Sequence, residues 1–193
     1  FLQDGSGITK ETDLVVVSTA IEDTVYEVKK AKELGIPIIK RSQLLAMIAK
    51  SKKTVAVAGT SGKSTTSAML FQILLDAGLE PSIISGAGLT SIIKQGKIGN
   101  AYVGKGDWLI IEADESDGSV VQYEPEIGLL LNIDKDHQEI DELIELFTIF
   151  RKNTKGLYIV NQSNALAKTL SANINNDFGF ETEAGFNAKN FKQ

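Results

Sequence analysis

The chain contains no cysteine. That excludes disulfides and thiolate-held metal ions, and it fits a reducing compartment such as the cytoplasm. A basic surplus is missing too: 20 Lys and Arg against 25 Asp and Glu leave a net charge of −5. Neither nucleic acid nor an anionic membrane is therefore an expected partner. No apolar run approaches the roughly 20 residues that a membrane-spanning helix needs, and no secretory leader opens the chain. Internal repeats and low-complexity tracts are absent as well. The first residue is Phe1 rather than Met, so the natural N-terminus is expected to lie upstream. What is present is ample: 193 residues, 42% of them hydrophobic, are enough for one large or two small cores.

Short branched apolar runs alternate with helical patterns along the whole length. Asp13-Leu-Val-Val-Val-Ser18 reads as a buried parallel strand. Residues 23–34 place Val25, Val28, Ala31 and Leu34 at helical spacing, and Gly35 stops them. Ile36-Pro-Ile-Ile39 predicts a second strand, with Ser42 capping a helix through Ala49. This β-α-β-α piece, residues 1–50, is too small for a complete doubly wound domain and reads as the back half of one. A second domain is expected over 51–193, opening at residues 54–58. Further strands are predicted at 81–85, 107–112, 126–132 and 157–161, with helices to Ala77, over 140–150 and to Leu170. The expected class is α/β with a mostly parallel sheet, a phosphate-loop domain preceded by part of a Rossmann-like one.

The chain is organised around residues 54–66, Thr-Val-Ala-Val-Ala-Gly59-Thr-Ser-Gly62-Lys63-Ser64-Thr65-Thr66. A buried strand runs into a glycine-punctuated turn and then into a helix, the layout of a phosphate-binding loop. Gly59 and Gly62 let backbone N–H groups approach an anion. The helix N-terminus adds partial positive charge, and Lys63 and the Ser64 hydroxyl complete the contacts to phosphate and Mg2+. Only Thr60 and Ser61 separate the glycines, two residues where the common form of this loop has four.

In open α/β sheets ligands gather at the carboxyl ends of the strands. Glu112, Asn132 and the loop itself all fall at such ends, as does the start of Glu112-Ala-Asp-Glu-Ser-Asp117. Ser64 and Glu112 supply the hard oxygen ligands that a nucleotide-bound Mg2+ takes. His137, the one histidine, is a softer ligand that can complete a second metal shell. Taken singly, the acidic run is a solvated turn and the histidine a surface residue. Their convergence on neighbouring strand ends argues for a site. A nucleotide switch of the GTPase kind is the competing class, but Asn132-Ile-Asp-Lys-Asp136 has the wrong spacing for a base-reading N-K-x-D.

Gly59-Thr-Ser-Gly-Lys-Ser-Thr-Thr66, the acidic hexad Glu112–Asp117 and Asn132-Ile-Asp-Lys-Asp-His137 together resemble the ATP-dependent Mur ligases of peptidoglycan synthesis. The branch most similar joins L-alanine to UDP-N-acetylmuramate, beside its murein-tripeptide-recycling relative; cyanophycin and folate polyglutamate ligases are more distant alternatives. Ser61 stands where that branch usually has His, and Ser64 where Thr is usual. The resemblance covers about residues 10–170. It implies a carboxylate–amine ligase working through an acyl phosphate, with ATP and Mg2+ as cofactors and UDP-N-acetylmuramate and an amino acid as partners. It further implies that Gly59, Thr60, Ser61, Gly62, Lys63, Ser64, Thr65 and Asn132 bind ATP. Lys63 would hold the β- and γ-phosphates, Ser64 and Glu112 one Mg2+, and His137 a second, with Asp136 in support. Ser18 and Thr19 fall in what resembles the end of the UDP-sugar-binding domain and would touch that substrate. The family's glycine-rich opening and its third domain are not in the sequence, so a fragment without ligase activity of its own is expected.

Overall fold

The computed structural model describes residues 4–135 and 138–189. Two compact units divide the chain, Phe1–Ile48 and Ala49–Gln193. In the first, β1 (Val15–Val17) leads through α1 (Tyr26–Glu33) to β2 (Ile38–Lys40), and the two strands pair in parallel, Val15 opposite Ile38. Gly35 ends α1 as expected. At φ +69° its N–H bonds the Lys32 carbonyl, and Ile36 N–H reaches back to Ala31, the paired closure that a left-handed residue permits. The helix α2 (Arg41–Lys50) starts one residue before Ser42. Ser42 is therefore not its cap. Gln43 instead accepts from the Lys40 backbone N–H at 2.8 Å, the return half of a capping box.

The second unit is built on six strands: β3 (Lys53–Ala58), β4 (Ser82–Ile84), β5 (Ala101–Tyr102), β6 (Trp108–Ala113), β7 (Ile127–Leu130) and β8 (Leu157–Val160). They lie in the order β5-β4-β6-β3-β7-β8, parallel except where β5 turns back along β4. The β3 strand is nearly all buried because it has a neighbour on each side, β6 and β7. Chain connections leave it in one direction and return across it to the other, which opens a crevice at its carboxyl end.

The helix α3 (Lys63–Asp76) follows β3 directly. Val55 and Val57, two apart on one face of β3, join its Phe71, together with Ile83, Ile110 and Leu131, in the central cluster. Past a short helical turn, α4 (Thr90–Ile93), and the crossover, α5 (Ile140–Asn153) buries Leu143, Phe147 and Phe150 at helical spacing. Asp141 and Glu142 open α5 and Arg151 and Lys152 close it, each charge opposing the nearer end of the helix dipole.

Two further expectations need correction. Between the strands expected at 81–85 and 107–112, where the glycine- and lysine-bearing sequence predicts only loop, lie α4 and the edge strand β5, which are too short to leave a periodic signal. The helix expected to Leu170 is a single 3-10 turn, Ala167–Leu170. The tail, whose sequence has short strand-like pieces, carries β9 (Phe178–Phe180) and β10 (Phe186–Ala188) as a separate parallel pair. Among the described residues no helix is long and apolar enough to cross a membrane.

Gly78 closes α3 at φ +74°, with Leu79 N–H bonded to the Leu74 carbonyl. A Cβ there would meet nothing within 4 Å, so a Gly78→Ala change costs backbone strain alone. We expect a loss of about 1–2 kcal/mol, read as a lower urea midpoint with an unchanged slope.

Candidate nucleotide-phosphate site

The sequence folds into a cradle between β3 and α3 because two glycines take conformations that other residues resist. Gly59 has φ +135°, and a Cβ on it would come within 3.1 Å of the Asn132 nitrogen and of the Leu131 Cβ. Gly62 is left-handed at φ +82° and stands immediately before α3, offering no side chain to its first N–H groups. The opening N–H groups of a helix have no acceptor within it. Here no side chain caps them, an opening of the kind that, with the helix dipole behind it, suits an anion.

Asn132, just beyond β7, holds the shape of the loop. Its Oδ1 accepts from the Thr60 hydroxyl at 2.8 Å and from the Ser61 N–H at 2.9 Å. Its Nδ2 donates to the Ser61 carbonyl at 3.1 Å, and its own carbonyl accepts from Thr60 N–H at 3.3 Å. Thr60 Oγ1 in turn accepts from the Asp134 N–H at 3.1 Å. The side chain therefore braces the loop. Asn132→Ala would release the three side-chain contacts, and we expect about 1–3 kcal/mol of stability to go with them. Chemical denaturation measures that loss.

Lys63 folds back over the loop. Its Nζ donates to the Gly59 carbonyl at 2.8 Å and to both carboxylate oxygens of Glu115, at 3.0 and 2.8 Å. Asp114 adds a more distant oxygen at 3.9 Å. Glu115 is only 4% exposed, so the ammonium is the counter-ion that makes its burial tolerable. Sequence reasoning included Glu115 in the acidic hexad but gave it no role. Its place on Lys63 became visible only once the turn after β6 brought the two together.

Glu112, near the end of β6, is satisfied on both oxygens. Oε2 accepts from the Ser64 hydroxyl at 2.9 Å, while Oε1 accepts from the Ser85 hydroxyl at 2.5 Å and the Gly86 N–H at 2.8 Å. Ser85 and Gly86 were missed, since nothing in their local sequence distinguishes them from turn residues. The Ser64–Glu112 pair is an all-oxygen donor set of the kind hard cations take. Among the described residues no group of three or more His, Asp or Glu gathers to hold a metal, so a cation here would draw further oxygens from a bound phosphate or water.

Thr65 is exposed in the first turn of α3. Ser18 and Thr19 lie in the first unit at the carboxyl end of β1, where the Ser18 hydroxyl accepts from the Ala20 N–H. His137 and Asp136 lie outside the described residues. A cleft of about 650 Å³ lined by Glu181, Thr182, Glu183, Ala184, Asn187 and Lys189 belongs to the tail.

Residues 57–193 match the Mur ligase middle domain, and residues 2–53 the catalytic domain of the Mur ligase family. The chain belongs to the Mur ligase family. The family expected from the three motifs is thus the one found. Among curated relatives, the UDP-N-acetylmuramate–L-alanine ligase of a Nostoc species is 45% identical over 147 residues, 74% of this chain and 29% of that protein. The enzyme of that name from Nostoc punctiforme is 38% identical over 180 residues, 91% of this chain and 36% of that protein. The Mur ligase chain thus spans about a third of the length of these relatives. Its fold is similar to the crystal structure of UDP-N-acetylmuramate–alanine ligase from Thermotoga maritima, with a TM-score of 0.77 and 26% identity over 89% of this chain and 40% of that one. A murein-peptide ligase structure from Neisseria shares the fold at a TM-score of 0.73 and 22% identity, covering 89% of this chain and 59% of that one.

Proposed function

We propose that this Mur ligase chain is the nucleotide-binding segment of a cytoplasmic, ATP-dependent ligase that joins L-alanine to UDP-N-acetylmuramate. In this reading residues 1–50 close the UDP-sugar-binding domain, where Ser18 and Thr19 would meet that substrate, and residues 51–193 form the ATP-binding domain. The observation that carries it is the cradle itself: two positive-φ glycines and a lysine folded over them, between β3 and α3. The names of the relatives supply the acyl acceptor and donor.

The chemistry follows from the charges. A carboxylate is a poor acyl donor, so it must first be phosphorylated. A muramate carboxylate oxygen attacks the γ-phosphorus of ATP and ADP departs. The amine then attacks the acyl carbon and phosphate leaves. Both partners of the first step are anionic, so the protein's task is positioning and neutralisation rather than covalent catalysis. The backbone N–H groups of 59–65 bind the phosphates, and Lys63 passes from Glu115 to the β- and γ-phosphates. Asn132 keeps the loop in shape for them. Ser64 and Glu112 fit one Mg2+, which when bound supplies further neutralisation of the triphosphate, and His137 is proposed to hold a second.

The test is phosphate release by the full-length protein from ATP, with UDP-N-acetylmuramate and each of L-alanine, glycine and a murein tripeptide. Turnover that depends on UDP-N-acetylmuramate and is fastest with L-alanine is expected. Turnover with the tripeptide alone would reassign the protein to the recycling branch.

A further inference from the structure

Behind the Lys63–Glu115 pair stands a side chain that the proposed chemistry does not use. Gln138 precedes α5, and its Nε2 reaches across to two successive backbone carbonyls of the acidic turn, those of Glu115 at 3.2 Å and Ser116 at 3.4 Å. Its Oε1 is shut off from solvent and has no donor among the described residues. A buried acceptor without a donor is a cost, and such groups in native folds call for an explanation. The amide cannot be turned over to relieve it, because both neighbours are carbonyl acceptors and only an NH2 can face them. The glutamine is thus held in an unfavourable setting by the grip of its amide nitrogen on residues 115 and 116.

We propose that Gln138 is a positioning residue for the phosphate site, fixing the backbone of Glu115 so that its carboxylate meets Lys63 in the orientation the incoming phosphates require. The proposal rests on the nucleotide-binding reading above. The route is short: Gln138 holds the Glu115 carbonyl, the Glu115 carboxylate holds Lys63 through both oxygens, and Lys63 spans the loop to Gly59. Loss of the amide lets the turn after β6 relax, so the lysine rests in several places instead of one. Binding of the phosphates beyond the first then weakens, while binding of the nucleoside with a single phosphate does not.

Two substitutions of similar size separate this from a packing role. Gln138→Leu removes both polar atoms, and Gln138→Glu keeps the shape but sets a carboxylate against two carbonyls. MgATP and AMP affinities of the full-length protein are measured by titration calorimetry for both variants, together with melting temperatures. Expected is about a tenfold weaker MgATP affinity in each, the lower end of what loss of a supporting contact costs at a binding site, with AMP affinity within twofold. On a Glu115→Gln background, Gln138→Leu should add nothing further. MgATP affinity unchanged in both variants overturns the proposal, and so does an equal loss for AMP. A loss that adds in full to that of Glu115→Gln overturns it as well. Failure of the unsubstituted protein to bind MgATP would instead remove the nucleotide-binding reading beneath it.

Discussion

Lys63→Ala in the full-length protein should lower ligation by about 10²–10³, equivalent to roughly 3–4 kcal/mol of lost stabilisation of the transferring phosphoryl group. Lys63 is the cation placed by the loop itself, 2.8 Å from the Gly59 carbonyl, and it would meet charge that grows as the γ-phosphate moves to the acyl oxygen. Truncation also leaves the buried Glu115 carboxylate without its counter-ion, so the melting temperature should fall as well. The two effects separate in the Lys63→Ala, Glu115→Gln double variant. There the buried charge is gone, stability should recover and activity should not. Activity within tenfold of the unsubstituted protein, in either background, would remove Lys63 from the phosphates.

Gly59→Val should be as damaging, by a different route. At φ +135° a branched residue is strained whatever the space around it, by about 1–3 kcal/mol. Space is absent besides: even a Cβ would sit 3.1 Å from the Asn132 nitrogen and 3.2 Å from its carbonyl oxygen. Both are backbone atoms at the end of β7, and they yield little. The loop is expected to move off Asn132, breaking the contacts of Thr60 and Ser61 and turning its N–H groups away from the anion. Charge-assisted bonds of this kind contribute about 1.5–3 kcal/mol each. Losing one or two weakens MgATP binding by roughly 100-fold, measurable by calorimetry on protein that still melts cooperatively. Undiminished binding would show that the loop does not cradle phosphate.

The fold was legible in the sequence wherever burial imposed a pattern. Strands such as β3 and β6 are covered on both faces and so read as continuous apolar runs, and Gly35 and Gly78 mark their helix ends because only a left-handed residue closes a helix in that way. The elements that escaped are those held by contacts distant in sequence. The edge strand β5 spans Ala101–Tyr102 and exists only because β4 offers it partners. The Ala167–Leu170 turn has apolar residues at helical spacing but stops after one turn.

The site divides in the same way. Gly59, Gly62, Lys63 and Ser64 are contiguous, so their chemistry could be read directly. Asn132 and Glu112 were placed by the rule that strand ends converge, and the structure ties both to the loop. Glu115, Ser85 and Gln138 could not be found in that way. Their roles depend on which turn lies against which, and local sequence does not encode that.

The proposed reaction activates a carboxylate by moving the γ-phosphoryl group of ATP onto it. The most direct measurement follows an oxygen atom. UDP-N-acetylmuramate is labelled with 18O in its muramyl carboxylate and incubated with the full-length protein, MgATP and L-alanine, and the released phosphate is analysed by mass spectrometry. An acyl phosphate loses its phosphate together with one former carboxylate oxygen, so one 18O per phosphate is predicted, at a rate that falls with Lys63→Ala. Phosphate released without label, at the same rate whether or not UDP-N-acetylmuramate is present, would contradict the account.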